Sequence, residues 1–132
     1  MKKLIILLVI IFSFLFSTTS WGDWSYVTES VDGRKFYYDK DRVRKSGKSL
    51  YFWMLQEDLK RSKNGIFSIT TYTQVDCSIF RLKMLKLHFY KDSMGEGYLD
   101  QMTPEGEHGE WMYPSPKSPS ETMLNKVCEE HE

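Results

Sequence analysis

Two cysteines, Cys77 and Cys128, are the residues of this 132-residue chain best suited to covalent chemistry. An even pair of thiols in a protein that leaves the cytoplasm is typical of one structural disulfide. Metal binding is the alternative, because Cys128 and His131 have a C-x-x-H spacing. A structural zinc site needs four ligands, however, and only one histidine lies close in sequence. The disulfide is therefore the favoured interpretation, and no metal or other cofactor is predicted.

A basic cluster in the connection between residues 40 and 48 is the candidate for ligand binding. Its members are Arg42, Arg44, Lys45 and Lys48. Such a cluster could bind a sulfated glycan or an acidic patch on a protein partner. Three further basic residues could join it across a hairpin, namely Lys60, Arg61 and Lys63. Charges in turns are often only solvated, so binding and simple solvation both stay open.

The other polar residues form no motif that is typical of catalysis. The three histidines are scattered, at His88, His108 and His131. No G-x-S-x-G, H-E-x-x-H or phosphate-binding glycine loop occurs. Acidic residues around position 107, with His108, are too sparse for a dedicated calcium loop and fit a solvated segment better; they are Glu105, Glu107 and Glu110. We therefore predict that the protein is not an enzyme.

Residues 1–22 have the pattern of a cleaved secretory signal. Two lysines are followed by an apolar run over residues 4–16 and then by small residues that allow cleavage after Ser20 or Gly22. The run is shorter than the roughly 20 residues that span a membrane, although a retained anchor is the alternative. No cysteine lies near the junction for lipid attachment. We expect an exported product, periplasmic or secreted, with no membrane span after cleavage.

Removal of this segment changes the charge balance of the chain. Without Lys2 and Lys3, 16 of the 18 basic residues remain against 18 acidic ones, a formal charge of −2. A nearly neutral domain does not coat nucleic acid by bulk electrostatics. We therefore expect no nucleic-acid partner.

Residues 23–132 are predicted to form one α+β domain, a small antiparallel sheet of five to six strands with one C-terminal helix. Strands are expected at residues 24–30, 34–39, 49–59, 66–77, 81–91 and 98–102. Asp32-Gly33 and Asn64-Gly65 indicate hairpins. The alternation slips by one residue after Met84, which predicts a β-bulge. Residues 49–59 are apolar on both faces and favour a central strand that is covered on both sides, whereas residues 103–117 read as a long surface loop.

The C-terminal helix has the clearest signals. Ser118 is placed as the N-cap, Pro119 follows it, and Glu121 completes a capping box. One apolar stripe follows, made by Met123, Leu124, Val127 and Cys128. A helix of about 12 residues is marginal alone in water, so it must pack on a sheet face. A disulfide to Cys77 would close a loop of about 50 residues and contribute roughly 4 kcal/mol in the chain-entropy model.

An ordered set of residues in this chain resembles the surface-adhesin protein E family. The set is Trp24, Tyr38-Asp39, Gly47, Trp53, Asp76-Cys77, Arg81, Tyr90, Trp111 with Pro114, and Val127-Cys128. The resemblance implies a small antiparallel sheet with the C-terminal helix across one face, tied by the disulfide. It also implies an exported bacterial protein whose namesake is an adhesin for host matrix and serum proteins. The namesake is lipid-anchored, and this chain departs from it by lacking a cysteine at the junction.

Two functional hypotheses follow for the exported domain. The first is an adhesin-like binding module that holds a protein or a glycan on a sheet face or on the basic connection of residues 40–48, which we call the basic turn. The second is a periplasmic structural or envelope-associated protein that shares the scaffold without adhesin activity. An exposed edge strand would also allow a homodimer.

Overall fold

The computed structural model describes residues 2–6 and 23–132. Residues 2–6 are helical and exposed. The remainder of the predicted signal peptide, including both expected cleavage positions, lies outside the described residues. Among the residues described, no helix has the length and apolar character needed to cross a membrane.

One antiparallel sheet and one C-terminal helix make up residues 23–132. The strands are β1 (Trp24–Glu29), β2 (Lys35–Asp39), β3 (Arg44–Ser46), β4 (Ser49–Glu57), β5 (Ser68–Asp76), β6 (Arg81–Tyr90) and β7 (Tyr98–Met102), and the helix is α1 (Pro119–His131). The strands lie in the order β1-β2-β4-β5-β6-β7, with β3 also paired to β4. Short 3-10 turns occur at Lys40–Arg42, Ser93–Gly95 and Gly106–Gly109. This confirms the predicted α+β class.

Strands β2 and β3 act as one interrupted strand along a single edge of β4. Strand β2 pairs with residues 54–57 and β3 with residues 49–51, while β5 occupies the whole opposite edge. The turn Lys40–Arg42 separates the two halves. The predicted basic connection is therefore partly strand, which raises the strand count above the five to six expected.

The two predicted hairpins use the same five-residue turn, residues 30–34 and 62–66. In each, the serine N–H donates to the carbonyl four residues later, and the glycine N–H donates back to the serine carbonyl. The serine hydroxyl also accepts the N–H of the fifth residue, at 3.1 Å in both turns. Gly33 and Gly65 have φ of +88° and +80°, values that a side chain disfavours. The Asp-Gly and Asn-Gly signals are thereby explained.

The predicted β-bulge lies in β6. Tyr72 pairs with Lys86 and Thr73 pairs with Met84, so Leu85 is the extra residue. Because strand side chains alternate between faces, one inserted residue returns the following apolar side chains to the face that Met84 occupies. Leu87 accordingly lies with Met84 on the side of the sheet that the helix covers.

The helix packs on one face of the sheet and forms the main core with it. Its buried residues are Met123, Leu124, Val127 and Cys128, as the stripe predicts. They pack against buried side chains of the central strands, namely Tyr38, Leu50, Phe52, Val75 and Leu82. Ser118 caps the helix by accepting the N–H of Glu121 at 3.2 Å. The carboxylate of Glu121 in turn accepts the N–H of Lys117, one residue before the cap.

The disulfide between Cys77 and Cys128 joins the end of β5 to the last turns of α1. The two Cα atoms are 5.9 Å apart, within the usual range for a bridge. Both sulfurs are bonded to each other, so the alternative of a metal site at these cysteines is wrong. A second tie lies nearby, where the buried Tyr38 hydroxyl donates to the carboxylate of Glu130.

Residues 103–117 are anchored at Met112 rather than lying wholly free on the surface. Met112 and Leu82 exchange two backbone hydrogen bonds of 2.7 and 2.9 Å, which extends the edge of β6 beyond the end of β7. Beside this bridge the Arg81 guanidinium lies 4.2 Å from the ring centroid of Trp111. The loop is thus held against the sheet at its midpoint.

Candidate functional site

The sheet face opposite the helix carries a continuous group of aromatic side chains. Strand alternation places them there, because residues two apart share a face and register pairs lie side by side. The group consists of Tyr51, Trp53, Tyr72, His88, Tyr90 and Tyr98, and we call it the aromatic face. Its side chains are half-buried, except for Tyr98, which is exposed.

Ring contacts connect the whole aromatic face. Trp53 is at its centre, 5.1 Å between centroids from both Tyr72 and His88. Tyr51 stacks on Tyr72 at 6.2 Å. At the other side Tyr98 lies edge-on to His88, 5.9 Å away. Such pairs stabilise one another beyond their buried area, so the face is a preformed surface of rings.

An open cavity of about 220 Å³ lies on this face. It is lined by Trp24, Arg42, Trp53, Thr70, His88 and Tyr90. The turn Ser93–Gly95 closes the sheet face beyond it, because Ser68 donates to the Asp92 carbonyl and accepts the Gly95 N–H, at 2.7 and 3.0 Å. The cavity is therefore bordered by backbone that is hydrogen-bonded to β5.

A short hydrogen-bonded series lies in the cavity wall. The Thr70 hydroxyl donates to the Tyr90 hydroxyl at 3.3 Å, and that hydroxyl is 3.4 Å from Nδ1 of His88. Burial and the charge of Lys86 lower the pKa of His88, which favours the neutral ring. With Nδ1 as the acceptor the proton is on Nε2, which is buried and has no partner within the part of the chain described.

Arg42 is held at the cavity by a buried carboxylate. Its Nε donates to Oδ2 of Asp39 at 2.5 Å, and the Asp39 side chain is only 1% exposed whereas that of Arg42 is 61% exposed. The other carboxylate oxygen of Asp39, Oδ1, is buried with no partner among the described residues. Asp39 therefore orients a guanidinium whose outer part faces solvent.

Arg44 is at the edge of the aromatic face. It pairs in register with Tyr51, and its guanidinium lies 4.8 Å from the Tyr51 ring centroid. Its Nη2 also donates to the Tyr72 hydroxyl at 3.4 Å. The arginine is thus stacked on the rings as a cation–π partner.

The other two residues of the predicted cluster lie elsewhere. Lys45 pairs in register with Leu50, so the alternation of β3 directs it toward the helix face. Lys45 and Lys48 line a separate cavity of about 290 Å³ beside Cys77 and Glu132. The structure therefore divides the cluster between the two faces of the sheet.

Lys60, Arg61 and Lys63 do not join the cluster, and that expectation is wrong. They lie in the connection after β4, whereas Lys48 immediately precedes it. The nine residues of β4 separate the two groups by about 30 Å. Arg61 instead binds the neighbouring loop, donating to the Lys91 carbonyl at 2.8 Å and to the Asp92 carboxylate at 3.0 Å.

The acidic residues in the loop after β7 form no metal site within the part of the chain that the structure describes. Within residues 2–6 and 23–132, no three His, Cys, Asp or Glu side chains are grouped so that they could hold a metal ion. Glu105, Glu107, His108 and Glu110 are exposed, in and beside the turn Gly106–Gly109.

Sequence reasoning missed the aromatic face. It expected β4 to be covered on both sides, and one side is indeed covered by α1, but Tyr51 and Trp53 on the other remain half-buried. The available signal was the joint presence of Tyr, Trp and His at alternate positions of three strands. Recognising it required the register between β4, β5 and β6.

Comparison with known proteins identifies related sequences and folds. A sequence model of the surface-adhesin protein E family matches residues 24–129. Crystal form II of Haemophilus influenzae protein E is similar in structure, with a TM-score of 0.62 and 13% sequence identity over 85% of this chain and 91% of that chain. The selenomethionine form of the same protein has a TM-score of 0.60 and 14% identity over 85% and 90%. No curated protein matches the sequence.

Proposed function

The chain belongs to the surface-adhesin protein E family, and from this premise we propose that it is an exported, non-catalytic binding module whose ligand rests on the aromatic face. The observation that carries the proposal is the group of connected rings with Arg42 and Arg44 at its border. The helix α1 packs on the opposite face, whereas these rings are bordered by the turn Ser93–Gly95 and stay partly exposed. A group of partly exposed rings is typical of an interaction surface.

The residue types of this face fit a protein or glycan ligand. Trp, Tyr and Arg are the residues that contribute most to binding when a partner removes them from water. The rings are already held in place by one another, so little side-chain entropy is lost on binding. The family supports host matrix or serum proteins, or glycans attached to them, as the ligand class.

A pair of neighbouring charges on β3 offers a matched test. Arg44 and Lys45 carry the same charge, are both exposed and differ by one position, but only Arg44 lies on the rings. Arg44→Gln should weaken binding of the exported protein to a matrix-protein surface about tenfold, or about 1.4 kcal/mol. Lys45→Gln should leave the affinity unchanged. Equal effects of both substitutions would mean that general charge, rather than the aromatic face, holds the ligand.

Location supplies the second test. We propose that residues 1–22 are cleaved on export and that the remaining domain reaches the cell exterior. Cell fractionation with antibody detection on intact cells would show the protein outside or on the surface. Recovery entirely from the periplasm would contradict host binding and favour a structural role inside the envelope.

Strand β7 also supports a homodimer within this proposal. All five of its residues are exposed, and it borders the sheet opposite β1. Pairing of two β7 strands would extend the sheet across two copies. Light scattering of the purified protein measures this directly, and a monomer at all concentrations would rule it out.

A further inference from the structure

The cavity on the aromatic face has a size and lining that select a particular kind of ligand group. Its volume of about 220 Å³ is below the roughly 300–1,000 Å³ of pockets for drug-sized molecules. It therefore admits one ring of a larger ligand and leaves the remainder of that ligand on the surrounding surface.

The cavity walls combine flat apolar surfaces with hydroxyl groups. Trp24 and Trp53 supply indole rings, while Thr70 and Tyr90 contribute hydroxyls that are already hydrogen-bonded to each other at 3.3 Å. The hydroxyl protons are used within the series that ends at His88, but each hydroxyl oxygen keeps a free acceptor lone pair that can receive a hydrogen bond from a ligand hydroxyl. A suitable ligand has an apolar face for the rings and hydrogen-bonding groups along its edge.

The charge beside the cavity restricts the ligand further. Arg42 uses Nε to bind Asp39, and its terminal nitrogens make no hydrogen bond within residues 23–132. Arg44 stands at the border of the same face. Two guanidinium groups disfavour a cationic ligand and can bind a carboxylate or sulfate through paired hydrogen bonds.

We propose that this cavity is a subsite for a pyranose ring that carries a carboxylate or sulfate group. The ring stacks its C–H face on Trp53 and Trp24, its hydroxyls reach Thr70 and Tyr90, and its anionic group lies against Arg42. The inference rests on the proposed function, because it names the chemical class held by the aromatic face. This subsite differs from simple attraction of an anionic glycan to the charges of the basic turn, because it requires the indole rings of Trp24 and Trp53.

The test is a titration of the exported, processed protein with a heparin-derived tetrasaccharide, followed by NMR of the indole N–H groups. The signals of Trp24 and Trp53 should shift, and that of Trp111, which is stacked on Arg81 outside the cavity, should not. Maltotetraose, a neutral oligosaccharide of the same length, should bind about tenfold more weakly or not at all.

Two substitutions provide the matched comparison. Trp53→Leu should weaken binding of the tetrasaccharide about tenfold through loss of stacking, and Trp111→Leu should leave it unchanged. Because Trp53 is half-buried, the indole shifts of the unaltered protein decide the question if Trp53→Leu fails to fold.

Several outcomes would overturn the inference. Indole signals that stay fixed while backbone signals of Lys45 and Lys48 shift would place the sugar on the basic turn. Equal shifts with a nucleoside monophosphate would indicate a site for planar anions instead. An unresponsive cavity, combined with matrix-protein binding that still depends on Arg44, would refute the sugar subsite and leave the proposed function standing.

Discussion

The hydroxyl of Tyr38, in the second strand, donates a hydrogen bond to the carboxylate of Glu130, 92 residues later in the last turn of the helix. Burial and this contact raise the pKa of Tyr38. The same hydrogen bond, together with Lys126 and His131, holds the pKa of Glu130 below its ordinary 4.5. A residue pair distant in sequence thus fixes the end of the helix next to the disulfide.

The Tyr38–Glu130 contact makes the free energy of unfolding depend on pH in the acidic range. Because folding lowers the pKa of Glu130, its contribution is complete above pH 4.5 and is lost as the pH falls through the lowered value. We expect Tyr38→Phe to reduce the free energy of unfolding at neutral pH by about 1 kcal/mol, with a smaller difference at about pH 3. Urea unfolding at both pH values measures this. Tyr37→Phe is the control, since Tyr37 faces the other side of the sheet and contacts Tyr26.

Reduction of the disulfide should lower stability substantially. The bridge joins residues 51 apart, and the chain-entropy model predicts a contribution of about 4 kcal/mol. Thermal or urea unfolding with and without a reductant measures it. A Cys77→Ser/Cys128→Ser double variant should unfold at the same midpoint as the reduced protein, and addition of reductant should not change that midpoint. Equal unfolding midpoints for the oxidised and reduced wild type would show that noncovalent packing alone holds the helix.

Removal of the Arg42 side chain should lower the stability of the fold, because the buried carboxylate of Asp39 would lose its cationic partner. Arg42→Gln removes the partner of a carboxylate that is 1% exposed, and we expect destabilisation by about 2 kcal/mol. Asp39→Asn in that background should recover part of the loss because the buried charge is gone. Arg44→Gln, whose partner rings are neutral, should change stability by less than about 0.5 kcal/mol. If the Arg42→Gln/Asp39→Asn double variant were no more stable than Arg42→Gln alone, this account would be contradicted.

The helix cap offers a smaller, local test. Ser118→Ala removes the acceptor for the Glu121 N–H and should cost about 1 kcal/mol. Ser115→Ala is the matched control, because Ser115 contributes its backbone carbonyl to this turn and not its side chain. Chemical unfolding followed by circular dichroism distinguishes the two variants, and an unchanged Ser118→Ala protein would show that the cap is dispensable.

Local sequence signals predicted most of the fold correctly. Six of the seven strands, both hairpins, the bulge after Met84 and the cap at Ser118 depend on residues close in sequence, where turn chemistry and alternation act directly. Strand β3 lies in the stretch that the sequence predicts as a connection. The disulfide was predictable because only two cysteines exist. Interactions between residues close in sequence were therefore enough to predict these elements.

The site depends on relationships that no local pattern contains. The alternation of β3 separates Arg44 from Lys45 although the two are adjacent, and the length of β4 separates Lys48 from Lys60. The contact of Tyr38 with Glu130 spans nearly the whole domain. Register and helix packing determine these relationships, so only two of the four basic residues that cluster in the sequence, Arg42 and Arg44, border the aromatic face.

The order of strands in the sheet has a consequence for how the chain assembles. Every main strand lies beside its neighbour in sequence, so the sheet can grow progressively from β1 as a chain emerges, with short loops to close at each step. Cys77, by contrast, must wait for the final helix before it meets Cys128. An oxidant acting earlier would meet a lone thiol able to link to another molecule, so correct pairing requires that Cys128 be available when Cys77 is oxidised.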